Sequence, residues 1–166
     1  MFDNLPPDSQ ALLLGLSAVV AGLIGNTLLE WIRVAIASRH QRAMVRRALL
    51  AELEAAHETV AHNLKSLRSD PVQGDFIVRM PIRENYPAFK WSLPHIGLLT
   101  GPEISAVFKA YDYLDSWSEI ITLVGRIERV DGRLFGHVPA SNCETIALAA
   151  EDRVRIIKST LDLLQR

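Results

Sequence analysis

The sequence predicts an all-α protein, with an N-terminal transmembrane helix continuing into an antiparallel bundle of about three helices. Three observations predict it. Ala11 to Leu29 holds nineteen positions without a charge, roughly 28 Å as helix and close to the thickness of a bilayer's hydrocarbon core. Val45, Leu49, Leu53, Ala56, Val60, Leu64 and Leu67 recur at steps of three and four, the period of a helix with one apolar face. Two helix-start signals, "TGPE" and "SNCE", then open two further amphipathic stretches. The expected divisions are a short extracytoplasmic N-terminus at 1–10, a span at 11–33, a helical extension at 34–69, an irregular loop at 70–99, and two bundle helices at 100–166.

The first element is read as a span because a water-soluble helix of that length carries a polar face, and this one meets no charge before Glu30. Trp31 and Arg33 follow, where interfacial residues belong. A cleavable signal is the competing reading, since Ala35-Ile36-Ala37 resembles a cleavage site. It requires a basic leader, and "MFDNLPPDSQ" has Asp3, Asp8 and no base. Arg33, Arg39, Arg42, Arg46 and Arg47 lie after the run and no arginine or lysine lies before it. That asymmetry places the N-terminus outside and the C-terminal body in the cytoplasm of a bacterial inner membrane, in a single pass. Trp31, Arg33, Arg39, Arg42 and Arg46 are the expected membrane-interface residues, with the arginines facing anionic headgroups or water.

Ser17, Ala21 and Gly25 are spaced i, i+4, i+8, and Ala18, Gly22 and Asn26 run beside them. Together they form a smooth face opposite the bulkier Leu12, Leu16, Val20 and Leu23. Small residues allow close backbone approach between helices in lipid, where no hydrophobic force draws them together. These six residues are therefore the expected packing face for a span of another chain.

The amphipathic stripe continues without Gly or Pro from Arg33 to Arg68 and ends at Asp70-Pro71. Between 70 and 99 six Pro and Gly residues exclude a long helix. "FIVRM" has strand character but no evident pairing partner, and the large apolar residues argue against a disordered linker. Thr100 and Glu103 form a capping box, followed by Ile104, Val107, Tyr111, Leu114 and Ile121 on one face, a helix ending before Asp131-Gly132. Ser141 and Glu144 repeat the device ahead of Ala147, Ala150, Val154, Ile157, Leu161 and Leu164.

Chemistry is sparse. The net charge of -1 gives no global pointer to nucleic acid, and none is expected as a partner. The single cysteine, Cys143, excludes an intrachain disulfide and a cysteine-based metal centre. Glu54 and His57 have the Glu-x-x-His spacing of di-iron bundles, but a second copy and two further inward carboxylates are missing. Glu58 and His62 read as a surface pair. Cys143 sits in a helix's first turn without a base beside it. Tyr111, Tyr113 and Trp117 read as core and interface. No metal, cofactor or catalytic residue is expected.

"RALLAELEAAHETVAHNLKSL", a tyrosine-containing loop and "LPHIGLLTGPEISAVFKAYDYL", behind an apolar run, resemble the order of features in small bacterial single-pass membrane proteins with a helical cytoplasmic domain. The likeness spans roughly residues 45–115 and implies an architecture without an activity. The function expected is a non-catalytic, membrane-anchored helical subunit or scaffold of a larger complex, with lipid and other membrane chains as partners. A homo-oligomeric sensor or effector is the alternative, and a bundle enzyme the third reading.

Overall fold

The computed structural model describes residues 7–69 and 77–166, with side chains at 20, 22–68 and 78–166. Helix α1 covers Pro7–Ser69, strand β1 Ile77–Ile82 and the short helix α2 Pro87–Ser92, followed by a 3-10 segment at Leu93–Leu98. Helix α3 covers Gly101–Val124, strands β2 and β3 Arg126–Val130 and Arg133–Pro139, and helix α4 Cys143–Leu164. The chain divides into two units, Met1–Gln41 and Arg42–Arg166.

In the first unit every described side chain is exposed except at half-buried Gly25. Among the described residues no helix is long and apolar enough to cross a membrane. The transmembrane helix of the expected fold class is corrected on that finding, and the single-pass assignment loses its support with it. From Gly22 onward α1 meets Asn26, Glu30 and Arg33 in about three turns, and these groups interrupt the apolar run. The side chains of residues 11–19 and 21, ten of the 23 positions of the expected span, lie outside the described residues.

The second correction concerns the bundle: a sheet is built into it. β3 pairs antiparallel with both β1 and β2, in the order β1-β3-β2. "IVRM" of that stretch therefore has a partner, with Met80 opposite Gly136, while Phe76 lies outside the described residues. β2 and β3 form a hairpin closed by Asp131 (φ 50°) and Gly132 (φ 76°). Two left-handed residues in sequence make the tight turn whose twist matches the strands, and Asp-Gly is a favoured pair for it. Gly136 lets α3 lie on the sheet, since a Cβ there would approach Ile121 Cγ2 to 2.8 Å.

The core of this unit follows the helical stripes. Val45, Leu49, Leu53, Ala56 and Val60 of α1 are buried, as are Val107, Tyr111, Leu114 and Ile121 of α3. Ala147, Ala150, Ile157, Leu161 and Leu164 of α4 complete it, while Val154 is half-buried. Met80, Leu134 and Val138 bring the sheet into the same cluster. The capping box at Thr100 and Glu103 is present, with Pro102 in the first turn. The one expected at Ser141 and Glu144 is not. A 3-10 turn covers Ala140–Asn142, α4 begins at Cys143, and Asn142 Nδ2 instead donates to the Val124 carbonyl at 2.7 Å.

Candidate functional site

The polar chemistry of the 42–166 unit is concentrated on three buried charged side chains: Glu52, Glu103 and Arg153, none more than 5 % exposed. Glu103 belongs to the first turn of α3. Its carboxylate accepts hydrogen bonds from the Thr100 backbone N–H (2.6 Å) and hydroxyl (2.7 Å). It also accepts from Arg42 Nη2 (3.0 Å) and from Arg46 through Nε (2.6 Å) and Nη2. Burial pushes the Glu103 pKa up, but the Thr100 and Arg46 bonds outweigh it and hold the carboxyl at about 2. The helix start thus serves twice, capping α3 and anchoring two arginines of α1.

Glu52, on α1, does the same for the segment after β1. Its two oxygens accept the backbone N–H groups of Ala88 (3.0 Å) and Phe89 (2.9 Å), at the start of α2. Tyr111 on α3 donates its hydroxyl to the same carboxylate at 2.8 Å. The Arg83 guanidinium stands 4.0 Å away. Phe89 stacks on Tyr111 with ring centroids 4.1 Å apart, and Tyr86 meets Tyr111 edge-on at 5.4 Å. Burial, followed for Tyr111 by the bond to Glu52, raises the pKa of both tyrosines, so both remain neutral phenols at physiological pH. With three donors on one carboxylate, Glu52 fastens residues 86–92 between α1 and α3.

Arg153 on α4 is buried without an ion-paired carboxylate among the described residues. It donates instead to the carbonyls of Tyr113 (2.8 Å) and Ala149 (3.0 Å) and to Ser116 Oγ (3.0 Å). Its guanidinium also lies over the Trp117 ring at 4.7 Å, a stacking that suits a planar, weakly hydrated cation. Burial lowers its pKa.

The positions singled out in the sequence fall as follows. Arg42 and Arg46 are held by Glu103, while Trp31, Arg33 and Arg39 are exposed. Gly22 and Asn26 are exposed and Gly25 half-buried; the side chains of Ser17, Ala18 and Ala21 lie outside the described residues. Glu54 and His62 are exposed, and no group of three or more metal-ligating residues exists among the described residues. The Cys143 thiol is buried, donates to the Pro139 carbonyl at 3.5 Å, and has its pKa raised by burial. Tyr111 and Trp117 belong to the core.

Glu52 and Arg153 escaped sequence reasoning because charged residues on an apolar stripe read as solvated flank. The one signal available was position: Glu52 directly precedes Leu53, and Arg153 directly precedes Val154, inside the stripes themselves.

Large apolar side chains are exposed in both units. In the 1–41 unit Leu23, Ile24, Leu28, Leu29, Trp31 and Val34 are each more than half exposed. In the 42–166 unit Trp91, Leu93, Phe108, Leu123 and Leu148 are exposed. Comparison with known protein families, with characterised proteins and with solved structures finds no match.

Proposed function

We propose that the protein is a non-catalytic helical subunit of a larger membrane-associated complex. One observation carries this reading: the 1–41 unit exposes large apolar side chains around its helix, Leu28 at 61 %, Trp31 at 75 % and Val34 at 68 % among them. Large apolar side chains clustered on an exposed helix mark a surface that another chain or a membrane covers, and none of the described residues covers them. Arg33 and Arg39 stand beside that surface, a placement suited to a location against anionic lipid, with other chains held at the same membrane as the docking partners. The buried charges support a scaffold. Glu52, Glu103 and Arg153 spend their hydrogen bonds on backbone groups and neighbouring side chains of the same unit, which fixes a rigid body for docking.

Gentle detergent extraction from native membranes, followed by intact mass measurement and identification of co-purifying chains, tests the proposal. A defined complex containing other chains is the expected result. An oligomer of this chain alone would favour the homo-oligomeric effector instead. A monomer recovered without detergent would overturn both.

A further inference from the structure

We propose that the core of the 42–166 unit binds one ordered water molecule, hydrogen-bonded between the indole of Trp117 and the side-chain amide of Asn63. Trp117 on α3 is 4 % exposed and Asn63 on α1 is 1 % exposed. Trp117 Nε1 and Asn63 Oδ1 have no hydrogen-bond partner among the described residues. The Asn63 amide is not free to turn over. Its Nδ2 donates to the Pro81 carbonyl on β1 at 3.0 Å, which assigns the unpaired atom as the acceptor oxygen.

Both residues line one cavity, shared with Thr59, Pro81, Tyr86 and Leu114. It leaves about 10 Å³ for the centre of a water-sized sphere, room for about one water. The walls select the occupant. An indole N–H only donates and an amide oxygen only accepts, so the bound species must do both. The hydroxyls of Thr59 and Tyr86 give their protons to the Ala55 and Arg83 carbonyls and keep lone pairs on the same walls. A halide would meet acceptors on several sides, and a metal cation would face the Arg83 guanidinium, which also lines the cavity. Water satisfies both orphaned atoms and has an acceptor for its second proton. It joins α1 to α3 at the point where Asn63 holds β1, and buried polar atoms of this kind are normally paired in this way.

The test is water–indole magnetisation transfer in the full-length, 15N-labelled chain. The sequence has three tryptophans, and Trp31 and Trp91 are exposed; Trp31→Phe and Trp91→Phe therefore assign the Trp117 indole by elimination. The expected result is a Trp117 indole N–H cross-peak at the water frequency with NOE and ROE of opposite sign, the signature of a long-lived water. Its exchange with solvent should also be slower than that of the other two indoles. A crystal structure resolving ordered solvent should place one water within hydrogen-bond distance of Trp117 Nε1 and Asn63 Oδ1. A Trp117 indole without the cross-peak, or a crystal structure with no density in the cavity, overturns the proposal.

Discussion

Replacing Glu103 by Gln removes a charge and almost no volume, so it isolates the electrostatic part of the α1–α3 anchor. An unperturbed glutamate titrates near 4.5 and Glu103 at about 2, a difference worth about 3 kcal/mol. Arg42 and Arg46 are 37 % and 27 % exposed, so solvent screening reduces the working figure to about 2 kcal/mol. The sign follows from the direction of the shift. A carboxylate with a depressed folded-state pKa stabilises the fold above the unfolded value of 4.5, and that stability is lost as the pH falls toward 2. Urea unfolding followed by circular dichroism should find Glu103→Gln less stable than the wild type by about 2 kcal/mol at pH 7. The gap should narrow below pH 4.5 and nearly close at pH 2. A gap of the same size at every pH would mean that Gln damages packing rather than charge pairing. No gap at pH 7 would mean that the arginines do not depend on the carboxylate.

Two further substitutions probe the rest of the unit. Leu114→Ala or Leu161→Ala should cost about 2–5 kcal/mol by chemical denaturation, and a loss below about 0.5 kcal/mol would mean that the stripe is not core. Glu52→Gln turns a donor group toward the Ala88 and Phe89 N–H groups and should cost about 1–3 kcal/mol. Hydrogen exchange at those two amides should accelerate while exchange in the middle of α4 does not; unchanged rates would show that Glu52 does not hold α2.

The parts of this architecture that were legible from sequence are those fixed by local chemistry. The Thr100–Glu103 box and the period of the stripes in α1, α3 and α4 depend on residues a few positions apart, and the structure uses them as read. The sheet depends on distant pairing. Ile77–Ile82 meets its partner more than fifty residues later, and "RIERV" is too polar to advertise a strand; the Asp131-Gly132 pair is its one strong local signal, and the same pair reads equally as a helix end. The role of Arg42 and Arg46 was hidden for the same reason. No carboxylate stands three or four residues from either of them, and Glu103 lies about sixty residues away. At "SNCE" the residue types fit a cap at Ser141, but a 3-10 turn takes up Ala140–Asn142 and α4 begins one residue later than that box requires, with Asn142 at the N-cap and tied through Nδ2 to the Val124 carbonyl.

The central claim is that the exposed apolar surface near the N-terminus is a docking surface, and the glycines within it provide the most direct measurement. A Cβ at Gly22 or Gly25 would meet nothing within 4 Å in this chain. Damage from Gly22→Leu or Gly25→Leu therefore does not begin with a clash at the Cβ among the described residues, and leucine favours a helix over glycine. Association should be followed by crosslinking and co-purification in mild detergent, with Val20→Leu as the conservative control on the opposite face. The account predicts that both glycine variants lose their partner chains while Val20→Leu retains them, because bulk at a small-residue face separates packed helices. Equal co-purification by all three variants would contradict it.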